Sequence, residues 1–489
     1  MKTVLNLLAE TASRFPNRAA FEDAACALSW RELFARSRQI GTSLAQRLAP
    51  NSPVAVCMDK TPETVAAMLG VLWAGCYYTI LDCAMPDKRA ALILRTFAPC
   101  ALICDATDGE KWRALAPDAY CFASRELCDE PDDAALARVQ RSVIDADLMY
   151  VLFTSGSTGV PKGVSIRHAS VMDFSAWAAE ALRIDEHCRL GNQAPLYFDN
   201  SVLDVVCALK TGAAVHFIPK KYFMFPGKLM DYLEEQRIDT LFWVPSALMH
   251  PANAGVVAEG RPRGVKRVFF CGEVMPCKQL NVWRSSLPNA DYVNMYGPTE
   301  ITDVCAWYRI DRDFRDDEAL PIGFPCDNTR ILLLDGEICV AGVCLAAGYY
   351  RAPEKTAEVF IQNPLNAAVP ERIYKTGDLG AYNERGELMF LGRKDSQVKR
   401  QGYRIELGEI ESALRACAHV ENGCCFYDAA RERLIAVTMG SATEKDMKSA
   451  LKLTLPKYML PDEYRVLAEL PQTGNGKIDR QRLRQELGL

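Results

Sequence analysis

The chain has 489 residues, with 57 Lys plus Arg against 62 Asp plus Glu, a formal net charge of −5. Hydrophobic residues make up 49% and charged residues 24%. This is the balance of a folded protein with a large core; it excludes a mainly disordered, collagen-like or coiled-coil chain, and it points to neither nucleic acid nor an anionic membrane as partner.

The 19 cysteines are spread along the chain without a C-x-x-C pair, and there are five histidines. Free, mostly buried thiols in a reducing cytoplasm are expected, not a zinc site. At the start, a short apolar run is broken by Asn6 and no small-residue cleavage site follows, which predicts an amphipathic first helix and no signal peptide. Residues 52–58 read as a strand, 63–75 as a helix ending near Gly75, and 77–81 as a second strand. The uncharged stretch 64–81 touches the lower length of a membrane span. Its glycines and β-rich end predict a buried helix and a core strand, with no span.

Further strands are predicted at 101–105, 148–153, 214–219, 240–245 and 267–272. Such alternation of helix and strand predicts α/β architecture with parallel sheets, whose ligands sit at the carboxyl ends of strands. After about residue 325 the pattern becomes β-rich, with hairpins expected at 329–342 and 386–406. A helix at 409–420, a strand at 434–440 and a helix at 444–456 complete the chain. The charged run Arg393-Lys394-Asp395-Ser396 predicts a division into a large domain, 1–394, and a small α+β domain, 395–489.

The most informative motif is Thr154-Ser155-Gly156-Ser157-Thr158-Gly159-Val160-Pro161-Lys162-Gly163, directly after an apolar run. Small residues leave backbone N–H groups free to face phosphate oxygens, hydroxyls add donors, and Lys162 adds a positive charge. The order of a Walker loop is absent. This string resembles the phosphate loop of adenylate-forming enzymes, the superfamily of acyl-CoA synthetases, firefly-type luciferases and nonribosomal-peptide adenylation domains. Further matches occur in the same order. Asn294-Met295-Tyr296-Gly297-Pro298-Thr299-Glu300 resembles the aromatic-Gly-x-Thr-Glu motif, and Tyr374-Lys375-Thr376-Gly377-Asp378 the ribose-binding motif. Leu391-Gly392-Arg393-Lys394-Asp395 resembles the hinge, and Gln401-Gly402-Tyr403-Arg404-Ile405-Glu406 and Asn475-Gly476-Lys477-Ile478-Asp479-Arg480 the two C-terminal signatures. The implied fold is a large N-terminal domain of α/β subdomains with a β-rich subdomain, plus a small mobile α+β C-terminal domain.

Phe198-Asp199-Asn200-Ser201 resembles the segment whose aspartate holds a substrate's α-ammonium group. A carboxylate suits an amino acid there, because the buried positive charge needs a partner. With Asn192-Gln193-Ala194-Pro195 and the 270–276 stretch, the chain is most similar to standalone amino-acid adenylation enzymes of the D-alanine–carrier protein ligase type. The resemblance implies two reactions. An amino-acid carboxylate first attacks the α-phosphate of ATP, giving aminoacyl-AMP and pyrophosphate. The phosphopantetheine thiol of a separate carrier protein then takes the aminoacyl group.

In that scheme Lys477 bridges the carboxylate and the α-phosphate, Thr299 reaches the phosphate, and Glu300 contacts Mg²⁺. Asp378 accepts from the ribose, Arg393 lies near the ribose or phosphate, and Gly272, Glu273, Asn294, Met295, Tyr296, Gly297, Pro298 and Phe390 belong to the nucleotide site. Asp395 is the hinge, and Gly402 allows close approach of the phosphopantetheine arm. Lys399 and Arg400 either flank the carrier or form a solvated charge pair.

The family's pocket positions, carried over, are Asp199, Asn200, Leu203, Trp243, Phe269, Cys271, Met295, Asp303 and Val304, with Lys477. Bulky Trp243, Phe269 and Met295 predict a small side chain. Cys271 matches the D-alanine type, whereas Asp303 stands where that type has an apolar residue. Either the substrate brings a hydroxyl or a second amine, or Asp303 is satisfied by a neighbour or water. D-alanine-like and small polar amino acids both remain open. No carrier motif follows Lys477, so a carrier acting in trans is expected. An acyl- or aryl-CoA ligase is the alternative enzyme, and a catalytically silent binding protein the alternative of another class.

Overall fold

The computed structural model describes residues 3–156, 160–258, 260–429, 431–471 and 478–488. The chain divides into two compact units. One comprises Met1–Cys83, Phe97–Leu152 and Gly163–Lys394; the other comprises Ala84–Thr96, Phe153–Lys162 and Asp395–Leu489. This differs from a single cut at Asp395, because two internal segments belong with the C-terminal one.

Among the described residues the first unit carries two large sheets. One has nine strands, in which Asp291–Tyr296, Arg267–Cys271, Thr240–Trp243, Arg189–Asn192, Ala214–Phe217 and Ala19–Glu22 run parallel and adjacent in that order. Their central residues are buried on both faces, as parallel strands between helical layers require. Strand order reverses at Arg189–Asn192, since the next strand lies on one side of it and the one after on the other. Such a switch point opens a crevice at the carboxyl ends of the strands. The loop leaving Asn192 leads into the helix Asn200–Thr211, which starts at an Asp199 cap and stops at Gly212, φ 86°.

The second large sheet has seven strands, including Pro53–Cys57, Tyr77–Ile80, Ala101–Cys104 and Leu148–Thr154. Between its first two strands runs the helix Pro62–Trp73, opened by Thr61 and Pro62, with ten of its twelve residues buried. The apolar run 64–81 is therefore a core helix and a core strand. Among the described residues no helix is long and apolar enough to cross a membrane. A smaller five-stranded sheet pairs Thr329–Leu334 with Glu337–Gly342 as an antiparallel hairpin. Leu388–Arg393 pairs back onto Arg372–Tyr382, so the expected hairpin over 386–406 is split. Only Gln397–Arg400 and Tyr403–Glu406 pair with each other.

In the second unit that hairpin turns through Gln401, φ 52°, and Gly402, φ 79°. Two consecutive positive φ values make the tight two-residue turn that glycine favours. The helix Leu407–Arg415 follows, then a three-stranded sheet of Val420–Asp428, Arg433–Gly440 and Glu463–Leu467. The strand Val420–Asp428 was not anticipated from the sequence. All nineteen cysteines are free thiols, and most are buried.

Candidate functional site

Asp199 stands at the mouth of the crevice. One carboxylate oxygen accepts from the Asn200 N–H at 3.0 Å, the other from the Thr299 hydroxyl at 2.6 Å. Two residues expected to serve different substrates, the amino acid and the α-phosphate, therefore meet. Thr299 opens the short helix Thr299–Ile301, on which Glu300 is fully buried. One Glu300 carboxylate oxygen accepts from the Tyr349 hydroxyl at 2.8 Å.

Beneath Asp199 lies a buried polar relay. The Lys60 ammonium donates to Asn192 Oδ1 at 2.8 Å, and Asn192 Nδ2 donates to Asp204 at 2.7 Å. Burial pushes the Asp204 carboxyl up to about 7, against the pull of Asn192 and Lys60. Burial likewise lowers the Lys60 ammonium to about 7. Asp303 is 1% exposed, and neither of its side-chain oxygens has a hydrogen-bond partner. Burial raises its carboxyl well above the usual range, and the charges of Asp199 and Asp204 add to the rise.

The apolar wall follows from strand register. In adjacent parallel strands, residues level with one another face the same side, and neighbours along a strand face opposite sides. Phe242 is level with Phe269, and Cys271 with Met295. These four share one core cluster with Leu203 and Val304. Trp243 is level with Phe270 and packs in a different core, edge-on to Phe223 at 5.1 Å between ring centres. Its indole N–H donates to the Gly191 carbonyl at 2.7 Å. Trp243, expected on the pocket wall, therefore lies on the opposite face of the sheet from Phe269, Cys271 and Met295, and Phe242 shares theirs. The alternation within 240–243 was the signal that could have found it. Asn200 is 7% exposed, and its Nδ2 has no partner.

Among the residues expected at a nucleotide, Tyr296 and Asp378 come together. The Tyr296 hydroxyl donates to Asp378 at 2.6 Å, and Arg393 pairs with the other oxygen of that carboxylate. Asp378 and Arg393 are level on antiparallel strands, which sets the pair. The Phe390 ring lies 6.4 Å from that of Tyr296. Asn294 donates to the Pro321 carbonyl at 2.7 Å, and Glu273 accepts from the Ser246 N–H at 2.9 Å. Gly272 has φ 99°, and Gly297 packs so closely that a Cβ would lie 2.1 Å from the Asp303 carbonyl oxygen. Pro298 precedes the Thr299 turn.

In the second unit, the donors of the Gly/Ser/Thr loop are held by protein groups. The Ser155 hydroxyl donates to the Arg404 carbonyl at 2.7 Å, and the Gly156 N–H donates to Glu409 at 3.2 Å. Glu409 also pairs with Arg89, both almost fully buried. Lys162 lies 3.5 Å from Glu406. The buried Thr154 hydroxyl has no partner. Asp395 accepts from the Gln397 N–H at 3.1 Å. Arg400 pairs with Asp462 at 2.8 Å, which removes it from a purely solvated role. Ser157, Thr158, Gly159 and Lys477 lie outside the described residues.

Comparison with known proteins places the chain in a family. Residues 8–350 match the family model "AMP-binding enzyme", and residues 409–477 match "AMP-binding enzyme C-terminal domain". A linear gramicidin synthase polypeptide of Brevibacillus parabrevis is 37% identical over 93% of this chain, which spans only 6% of that protein. The D-alanine–D-alanyl carrier protein ligase of Staphylococcus aureus is 30% identical, with 99% of each chain covered. Among solved structures, the Vibrio cholerae adenylation domain AlmE, in complex with glycyl-adenosine-5'-phosphate, superposes with a TM-score of 0.85 at 19% identity, covering 99% of this chain and 97% of that one. That likeness shows the fold. With the first family model alone matching well over half of its length, the chain belongs to the AMP-binding enzyme family.

Proposed function

We propose that this protein activates a small amino acid as its adenylate and passes it to the phosphopantetheine thiol of a separate carrier protein. The observation that carries the reading is Asp199. It is a carboxylate between the switch-point strand Arg189–Asn192 and the helix Asn200–Thr211, fixed by the helix start and by Thr299. It offers an α-ammonium a charged, oriented partner. A CoA ligase acting on a plain carboxylic acid gives that carboxylate no cation to meet.

In the first step a substrate carboxylate oxygen forms a bond to the α-phosphorus of ATP, and the bond to the bridging oxygen breaks, releasing pyrophosphate. Two anions must approach, so donors and cations must balance the charge. Lys477 and Thr299 are assigned to that task by resemblance. Tyr296, Phe390, Asp378 and Arg393 form the group suited to a nucleoside: two aromatic rings beside a carboxylate held by an arginine. Glu300 suits a magnesium ion, which needs only one or two protein carboxylates when phosphates supply the rest. Bound there, the ion would neutralise phosphate charge. In the second step the thiolate attacks the acyl carbon and AMP departs. Gly402, at the tip of a tight hairpin, is assigned to the arm, and Asp395 to the hinge that exchanges the two steps.

The test is amino-acid-dependent exchange of pyrophosphate into ATP, followed by loading of a phosphopantetheinylated carrier protein. Exchange with an amino acid and transfer to the carrier are expected. Exchange confined to acids without an amine would replace this reading with the CoA ligase.

A further inference from the structure

One aspartate of the candidate site has no hydrogen-bond partner among the described residues. Three aspartates surround the start of the helix Asn200–Thr211. Asp199 is held by Asn200 and Thr299, and in the proposed function it takes the α-ammonium. Asp204 accepts from Asn192, behind which the Lys60 ammonium sits. Asp303 is buried to 1% exposure, and both of its oxygens lack a partner.

The backbone is strained to place it there. Thr302 and Asp303 both lie in the left-handed region, at φ 62° and 73°. The turn is pinned by the Thr302 hydroxyl on the Cys344 carbonyl at 2.8 Å and by the close approach of Gly297. Two more buried polar atoms nearby are unpartnered, the Tyr150 hydroxyl and Asn200 Nδ2. The Tyr150 hydroxyl is pushed up by burial first, then by Tyr78, Asp199 and Asp303. The Asp303 carboxyl and the Tyr150 hydroxyl are thus both buried without a hydrogen-bond partner among the described residues.

We infer that the pocket takes a short diamino acid, with Asp303 as the counter-ion of the side-chain ammonium. The inference rests on the amino-acid reading above and names its substrate class. A hydroxyl would give Asp303 one hydrogen bond but no charge. A side-chain ammonium would favour the charged form of Asp303 that burial and the neighbouring aspartates disfavour, which a hydroxyl cannot do. Phe242, Phe269 and Met295 are bulky and buried on one face of the sheet, which favours a short stem.

The experiment measures pyrophosphate exchange by the full chain and by Asp303→Val. The substrates are both enantiomers of 2,3-diaminopropionate, 2,4-diaminobutyrate, serine, alanine and 2-aminobutyrate, with ornithine and several non-amino acids. Wild type should favour a short diamino acid over 2-aminobutyrate by at least about 100-fold in kcat/KM, since a site built for a polar group rejects the analogue lacking it. Asp303→Val should reverse that order; because a β-branched residue is strained at φ 73°, Asp303→Asn, which suits that backbone and removes the charge, is the folding control and should erase the preference. Titration with the diaminobutyryl and 2-aminobutyryl sulfamoyl adenosines gives the same ranking without catalysis. A wild-type preference for serine, alanine or 2-aminobutyrate, unmoved by Asp303→Val, would overturn the inference and leave the amino-acid reading intact. Exchange only with acids lacking an amine would overturn both.

Discussion

Asp199→Asn isolates charge from shape. The amide keeps an oxygen for the Asn200 N–H, so the helix cap survives, and its nitrogen can donate to the Thr299 oxygen in place of the present bond. What disappears is the negative charge. Removing one partner of a substantially buried ion pair costs about 3 kcal/mol, the low end of the range, because Asp199 is only half-buried. At about 1.4 kcal/mol per tenfold, KM for the amino acid should rise roughly 100- to 200-fold. The affinity for ATP should stay within about threefold, since Tyr296, Asp378 and Arg393 are untouched. Folding should not suffer, because the substitution removes one of the charges that disfavour the ionised form of buried Asp303. Pyrophosphate exchange at varied amino acid, calorimetry with ATP and a thermal melt measure the three quantities. An unchanged KM, or equal losses of amino-acid and ATP affinity, would refute the assignment of Asp199 to the α-ammonium.

Other sites give separate outcomes. Tyr296→Phe removes a buried 2.6 Å hydrogen bond to Asp378 and should weaken ATP binding about 5- to 10-fold, with KM for the amino acid at saturating ATP unchanged; an unaltered ATP affinity in calorimetry would count against a nucleoside role. Asp204 binds its proton more tightly folded than unfolded, so its contribution is fully present below about pH 4 and is lost as pH rises to about 7. Over those roughly three units the loss is about 4 kcal/mol, and Asp204→Asn should flatten the stability curve between pH 4 and 7 in denaturant titrations. A variant curve as steep as the wild type's would contradict the burial argument. Lys477→Ala should abolish adenylation yet spare thioester formation from supplied aminoacyl-AMP; loss of both half-reactions would show that its role is not confined to the first.

The sequence exposed those features that rest on residue identity along a line. Apolar runs bounded by glycine and proline located the parallel strands to within a few residues, and the uncharged run 64–81 was separable into helix and strand by Gly75. Motif order placed Asp199, Tyr296 and Asp378 in one fold before any geometry. Orientation was harder. Trp243 and Phe242 are neighbours of similar bulk, and only register against Phe269 and Phe270 tells which shares a face with Phe269. The hairpin over 386–406 failed for a related reason: two β-rich segments in sequence need not pair, and Leu388–Arg393 found a longer partner in Arg372–Tyr382. The allocation of residues 153–162 to the second unit follows from hydrogen bonds to Arg404 and Glu409, some 250 positions away, which no local pattern encodes.

Long-range satisfaction also singles out Asp303. Among the described residues, the fully buried carboxylate oxygens without a hydrogen-bond partner belong to Asp204 and Asp303 alone. Buried glutamates elsewhere in the chain are engaged: Glu300 by Tyr349, Glu411 by Arg480 and the Cys425 N–H, Glu409 by Arg89 and Gly156. A fold that pairs these acids so consistently has the means to pair Asp303, yet it strains Thr302 and Asp303 to keep that carboxylate buried and bare. Unsatisfied buried charge lowers stability, and it is tolerated where a ligand removes the deficit on binding. On that argument the partner proposed for Asp303 is a donor brought by the substrate, and an ammonium is the donor that would also favour the charged carboxylate.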